Sequence, residues 1–175
     1  MIRILLLVSL FFFPIKSNAL IEVDITRGNL NPLPIAVSPL SIDKNSKKNF
    51  EKILKKKNIG AEIAIVVENN LKASGLFNPL NRDAFLQAPD IANLKPRFED
   101  WNLIKAQALI TGKVNFVNDK LRVEFRLWDV LAGKEMMALA FTTVPSNWRR
   151  VGHIITDKVY ERLTGEKGYF DTRII

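Results

Sequence analysis

The sequence predicts an α/β domain in which a small mixed β-sheet, including an antiparallel three-stranded meander, is covered by helices. The first observation is a succession of three strand-like segments between residues 107 and 144. Tight turns at Asn118-Asp119 and Ala132–Lys134 separate them, as in consecutive hairpins. The second observation is a pair of amphipathic helical patterns, at 59–74 and 147–164. Their apolar sides can cover the apolar face of such a meander, so a sheet with helices packed on it is the expected architecture.

Residues 1–19 have the features of a secretory signal peptide. Arg3 precedes an apolar run from Ile4 to Phe13, and small residues precede the expected cleavage between Ala19 and Leu20. The run is shorter than the roughly 20 apolar residues that a membrane-spanning helix needs, so an uncleaved anchor is the less favoured alternative. We therefore expect export to the periplasm and no transmembrane segment in the mature chain.

The first mature residues, 20–26, alternate between apolar and polar side chains as a β-strand does. A linker rich in Gly, Asn and Pro follows, so that residues 20–33 form an arm and a linker. Such a strand can add to an exposed sheet edge of another protein, or it can pair within its own sheet, and the residues alone leave both open. This N-terminal arm consists of Leu20, Ile21, Glu22, Val23, Asp24, Ile25 and Thr26.

The expected domain spans residues 34–168, and its first half combines short strands with helices. Apolar residues three and four apart, among them Ile63, Val67 and Leu71, predict a helix over 59–74, and Gly75 can end it. The other predicted segments are a buried strand at 34–40, an extended piece at 76–80, a helical turn at 82–87, a loop at 89–96 and a short helix at 98–105.

The second half consists of the meander and a closing helix. Strands are predicted at 107–117, 120–130 and 135–144. Ser146 or Asn147 can cap the last helix at its start, and Gly165 can end it. Residues 169–175 read as the beginning of a further strand. The apolar stripe of the last helix is Trp148, Val151, Ile155, Val159 and Leu163.

The positive charge of the chain is local. The formal net charge is +8, and removal of Arg3 and Lys16 with the signal peptide lowers it to +6. Residues 44–57 hold seven lysines and one glutamate, so this lysine-rich segment alone accounts for the remaining +6. A solvated loop or frayed helix is the favoured interpretation, and contact with anionic lipid head groups or an acidic partner is the alternative. Export, and the lack of interleaved aromatic residues other than Phe50, argue against nucleic acid as a partner.

Residue types that support catalysis are scarce. The chain has no cysteine, and His153 is its single histidine. His153 and Asp157 lie four apart on a helix, a spacing that more often reflects surface electrostatics than a catalytic pair. Adjacent Glu99 and Asp100 point in different directions on a helix. With no phosphate-binding loop and no metal-ligand pattern, we predict no enzyme, no cofactor and no metal site. We expect Trp101, Trp128 and Trp148 to be structural.

Four segments, in order along nearly the whole chain, carry a resemblance to a known family. They read Ser-Gly-Leu-Phe-Asn-Pro-Leu at 74–80, Ala-Gln-Ala-Leu-Ile-Thr-Gly at 106–112 after Trp101, Val-Glu-Phe-Arg-Leu-Trp-Asp-Val at 123–130, and Leu-Thr-Gly-Glu-Lys-Gly-Tyr-Phe-Asp-Thr-Arg-Ile at 163–174. In this pattern the chain resembles the TolB family of the periplasmic Tol–Pal system. The matching part is the N-terminal domain and its junction with the β-propeller. The lysine-rich segment is longer and more basic than is usual in that family.

The resemblance implies a periplasmic adaptor of the Tol–Pal system that acts in outer-membrane integrity and in invagination during cell division. Its mobile N-terminal arm would bind the C-terminal domain of TolA. Residues 169–175 would be the start of a β-propeller that is missing from this chain, so Pal would be a partner only if that propeller exists. The alternative is a stand-alone periplasmic envelope-binding module that uses the lysine-rich loop on anionic lipid.

Overall fold

A six-stranded mixed sheet forms the centre of the domain. The computed structural model describes residues 21, 31–56 and 58–172. The predicted signal peptide, all of the N-terminal arm except Ile21, and residues 173–175 lie outside these residues. The strands are β1 (Leu33–Val37), β2 (Ser41–Ile42), β3 (Phe77–Pro79), β4 (Ala108–Val117), β5 (Lys120–Asp129) and β6 (Lys134–Thr143). The helices are α1 (Lys44–Leu54), α2 (Ile59–Ala73), α3 (Pro89–Leu94), α4 (Phe98–Leu103) and α5 (Trp148–Thr164).

The strand order is β3-β1-β4-β5-β6, and β2 also pairs with β4. β1 is parallel to both β3 and β4, whereas β4, β5 and β6 form the predicted antiparallel meander. Asn118 and Asp119 form the first tight turn with φ angles of 49° and 60°, which is the left-handed geometry that a two-residue hairpin requires. The mixed α/β class predicted from the sequence is confirmed.

The main core lies between one face of the sheet and helices α1, α2 and α5. The apolar face of β5 is buried throughout, at Leu121, Val123, Phe125 and Leu127. All five residues of the predicted stripe on α5 are buried, which confirms that helix. α5 approaches α2 closely because Gly152 has no side chain. A Cβ placed there would lie 2.7 Å from Val66 Cγ1.

Within the described part of the chain, α3 and α4 cover one end of the opposite face of the sheet. A second, smaller core there holds Trp101, which is 1% exposed and donates a hydrogen bond from Nε1 to Gln87 Oε1 at 3.1 Å. Trp128 lies edge-on to Phe98 of α4, and its Nε1 donates to Thr111 Oγ1 at 2.9 Å. These packed positions give both tryptophans a structural role, as expected.

Two helical segments differ from the prediction. Residues 89–96 were expected to form a loop, but Pro89–Leu94 is a helix. Proline at the first helical position is favourable, and Ala92 is fully buried in the second core. The lysine-rich segment is likewise an ordered helix over 44–54 rather than a loop or frayed helix.

The last helix also differs in detail at both ends. Asn147 does not cap it, because its side chain instead donates to Thr143 Oγ1 at 3.1 Å. Gly165 ends α5 in the left-handed conformation with φ 75°, as predicted. Residues 169–172 form no strand but fold back against α5. Whether 169–175 begins a β-propeller stays a prediction.

Candidate partner-binding surfaces

Ile21 is the residue of the N-terminal arm whose position is described. Its backbone N–H donates to Asp129 Oδ2 at 3.3 Å, across 108 positions of sequence. Asp129 is 1% exposed, and its Oδ1 accepts a second hydrogen bond, from the Ala132 N–H, at 2.8 Å. The half-buried Ile21 side chain packs against the main core. The beginning of the arm therefore contacts the body of the domain at the end of β5.

Sequence reasoning did not single out Asp129. The sequence feature that could have identified this residue is a carboxylate at the fifth position of an otherwise apolar strand face, after Leu121, Val123, Phe125 and Leu127. A buried carboxylate needs hydrogen-bond donors, because desolvation of an unpaired charge is costly. Asp129 obtains them from two backbone N–H groups. The other arm residues, Leu20 and 22–26, lie outside the described residues.

β6 is a long edge strand. It pairs with β5 and with no other strand among the described residues. Positions 136–144 carry no charged side chain, and Leu139 is 38% exposed. The other edge, β3, has only three residues and includes Pro79. Short strands and prolines protect sheet edges from further pairing, so β3 is protected whereas β6 retains the backbone groups for strand addition.

Helix α1 displays lysine side chains on an ordered framework. Asp43 caps its start by accepting the N–H groups of Asn45 and Ser46, both at 2.9 Å. Hydrogen bonds from Ser46, of which the side-chain bond is the largest cause, hold the pKa of the Asp43 carboxyl below its ordinary value of 3.8. Phe50 is 1% exposed and packs edge-on against Phe116, with ring centroids 5.3 Å apart. Helix α1 is thus fixed on the sheet.

The basic surface continues from α1 to the beginning of α5. Lys56 Nζ lies 5.0 Å from the ring centroid of Trp148, and the guanidinium carbon of Arg149 lies 5.0 Å from the same centroid. Two cations therefore contact one indole, an arrangement that the negative face of the ring favours. Lys56 also pairs with Glu62 at 3.2 Å. Trp148 belongs to the core stripe as predicted, and it additionally organises these two charges.

His153 and Asp157 do not form a pair with each other. His153 Nδ1 lies 2.9 Å from the Asn70 side-chain nitrogen, which also donates to Thr156 Oγ1 at 3.1 Å. Asp157 instead accepts the backbone N–H groups of Phe170, at 2.7 Å, and Asp171, at 3.1 Å. Each side chain is engaged in joining structural elements, so the spacing of the two residues reflects packing.

A depression of about 450 Å³ on the described surface lies between α2 and the turn after β3. Glu68 and Arg82 form an ion pair of 2.7 Å beside it. Burial raises the pKa of Glu68 despite the hydrogen bond from Arg82. No group of three or more His, Cys, Asp or Glu side chains suited to a metal ion occurs within the described part of the chain. In that same part, no helix has the length and apolar character needed to cross a bilayer.

Comparisons with known proteins find TolB proteins at the level of sequence and of fold. The profile of the TolB amino-terminal domain matches residues 21–136. The Tol-Pal system protein TolB of Pelagibacter ubique (strain HTCC1062) is 82% identical over 170 residues, which cover 97% of this chain and 38% of that protein. The chain therefore spans well under half the length of this relative. The crystal structure of TolB from Acinetobacter baumannii matches with a TM-score of 0.63, covering 80% of this chain and 30% of that one at 22% identity. This last similarity concerns the fold.

Proposed function

The chain belongs to the TolB amino-terminal domain family, and from this membership we propose that it works in the Tol–Pal system as a periplasmic adaptor that binds TolA through its N-terminal arm. The observation that carries the proposal is an alternating strand sequence at 20–26, directly after the expected signal-peptide cleavage site, on a chain of this family. The biological role that follows is maintenance of the outer membrane and its invagination during division.

Strand addition is the binding mode that the arm sequence favours. Backbone hydrogen bonds to an exposed sheet edge of the partner supply affinity, and alternate side chains supply specificity. Val23 and Ile25 would face apolar pockets of TolA, while Glu22 and Asp24 would face outward and affect the association rate more than the affinity. Ile21 differs from these residues because its N–H already contacts Asp129. We therefore assign the partner-facing part of the arm to residues 22–26.

The role proposed here is non-catalytic. His153 and Asp157 are each engaged by other groups in the fold, and neither is directed toward the other. Binding to Pal is proposed only for a chain that also carries the β-propeller. The stand-alone envelope-binding alternative rests on the lysine-rich segment alone, whereas the family match extends over residues 21–136.

A pair of matched double variants tests the arm. Replacing Val23 and Ile25 by Lys should abolish binding to the C-terminal domain of TolA, measured by isothermal titration calorimetry. Replacing Glu22 and Asp24 by Gln and Asn changes the other side of the same strand and should lower affinity less than about tenfold. Both variants leave Ile21 and its contact with Asp129 intact. Binding through the arm would be refuted if the variant at Val23 and Ile25 bound the C-terminal domain of TolA with the same affinity as the unmodified chain.

A further inference from the structure

The lysines of α1 occupy one side of the helix. At 100° per residue they fall within an arc of about 140°, opposite the anchoring residues Ser46 and Phe50, which are 3% and 1% exposed. All of these lysines are exposed, and Glu51, the one acidic residue of this helix, is exposed within the same arc and lowers the charge of the surface by one. No ion pair among the described residues involves any of them. This lysine surface consists of Lys44, Lys47, Lys48, Lys52 and, directly after the helix, Lys55.

The arrangement is unfavourable for the isolated helix. Lys44, Lys48 and Lys52 follow one another at intervals of four residues, a spacing at which like charges destabilise a helix. Asp43 offsets part of this cost at the start of the helix, because its carboxylate lies at the positive end of the helix dipole. A nearby anionic surface would reduce the remaining repulsion among the lysines.

The lysine surface is held in a fixed position rather than presented on a flexible segment. The Asp43 cap and the burial of Phe50 fix α1 on the sheet, and the Ser46 hydroxyl accepts the Phe116 N–H at 2.7 Å. At its far end, Lys56 and Arg149 extend the positive charge over Trp148 to the beginning of α5. An 11-residue helix is about 16 Å long, so its lysines can contact several anionic groups together.

The choice of lysine indicates the kind of partner. Arginine is the residue that recognises a defined carboxylate or phosphate, because its planar group forms two parallel hydrogen bonds. Residues 44–57 contain seven lysines and no arginine. The segment also offers no row of aromatic side chains on which bases could stack. Flexible point charges without directional preference suit the delocalised negative charge of a lipid surface.

We propose that the lysine surface of α1 binds an anionic phospholipid bilayer by electrostatic attraction and so holds this domain at a membrane face. The contact is peripheral and reversible, and it uses neither the N-terminal arm nor Ile21. It adds a membrane-binding function to the proposed adaptor role, and it stands if binding to TolA fails. Its strength falls with added salt, since the charges involved are exposed.

Flotation with lipid vesicles tests the proposal. The chain without residues 1–19 is mixed with vesicles of phosphatidylcholine alone or of phosphatidylcholine with the anionic lipid phosphatidylglycerol, whose negative surface potential attracts basic segments. We expect binding only to the anionic vesicles, and release at about 0.5 M salt, where the Debye length is only a few ångströms. Each lysine near such a surface strengthens binding roughly fivefold. Replacing Lys44, Lys47, Lys48 and Lys52 by Gln should therefore weaken binding at least about fiftyfold.

A matched control removes the same charge elsewhere. Lys72, Lys95, Lys120 and Lys134 are exposed and form no ion pair among the described residues, and their replacement by Gln should change binding by less than about fivefold. Circular dichroism checks that both variants fold. Equal losses of vesicle binding in the two variants would overturn the proposal, because the net charge of the chain, and not the position of the lysines on α1, would then determine the binding. Binding of polyglutamate without binding to anionic vesicles would also overturn it, in favour of an acidic protein partner.

Discussion

Replacing Asp157 by Ala should release residues 169–171 from α5 while leaving the rest of the fold intact. The carboxylate accepts the Phe170 N–H at 2.7 Å and the Asp171 N–H at 3.1 Å. Among the described residues, Asp171 also accepts two hydrogen bonds from Arg150, from Nε to Oδ1 and from Nη2 to Oδ2, both at 3.0 Å. Asp157 is therefore the group that holds the backbone of this segment against α5.

The magnitude follows from these two hydrogen bonds. A hydrogen bond to a charged group contributes about 1.5–3 kcal/mol. Release lets both N–H groups return to water, and it exposes the Phe170 ring, whose centroid lies 5.8 Å from that of Tyr160. The loss cannot exceed the local free energy that keeps this short segment on α5, which is smaller than the sum of the two bonds. We therefore expect a loss of about 2 kcal/mol. This corresponds to about thirtyfold faster amide exchange at Phe170 and Asp171.

Hydrogen exchange followed by NMR is the appropriate assay, because it separates local release from global unfolding. Amides of β4 and β5 should keep their protection in Asp157→Ala. The comparison is Asp171→Asn, which weakens the ion pair with the partly exposed Arg150 and should increase exchange less than Asp157→Ala does. If Asp157→Ala left Phe170 and Asp171 as protected as in the unmodified chain, the proposed attachment would be wrong.

Three further perturbations test the packing and capping of the helices. Gly152→Ala should lower the free energy of unfolding by about 1 kcal/mol in urea. Overpacking against Val66 costs about 1–3 kcal/mol, and the higher helix propensity of alanine offsets about 1 kcal/mol of this. Unchanged or increased stability would contradict the close approach of α2 and α5. Phe50→Ala should cost about 3–5 kcal/mol by the same measurement, and a loss below about 1 kcal/mol would mean that Phe50 does not anchor α1. Asp43→Ala should cost about 1 kcal/mol at pH 7 through loss of the helix cap. Because the pKa of Asp43 is lowered in the folded state, the stabilisation by its charged form is fully present above the unfolded-state pKa and is lost as pH falls through the folded-state pKa. A stability difference between Asp43→Ala and the unmodified chain that did not shrink as the pH was lowered would contradict a cap by the charged carboxylate.

Local periodicity was sufficient to predict the meander and the two long helices. The alternation in β5 and the stripe on α5 are encoded within each segment, and the turn at Asn118-Asp119 needs only the local tolerance of positive φ. Local periodicity did not specify the parallel pairing of β1 with β3 and β4, because this pairing joins segments that are distant in sequence. Pairing of this kind depends on tertiary contacts that a local pattern does not contain.

Two segments show where local signals misled. Pro89 and Pro96 suggested a loop, yet proline is favourable at the first helical position and the buried Ala92 holds the helix against the sheet. The lysines of α1 suggested solvation, while Asp43 and Phe50 supplied the cap and the anchor that order it. The contact between Ile21 and Asp129 could not be predicted, since it joins residues 108 positions apart.

Binding to the C-terminal domain of TolA is the measurement that tests the adaptor proposal most directly. Calorimetric titrations should compare the chain beginning at Leu20 with the chain beginning at Arg27, which lacks the N-terminal arm. We expect saturable binding by the first chain and none by the second, with both chains folded by circular dichroism. Equal binding by the two chains, or no binding by either, would contradict the adaptor proposal.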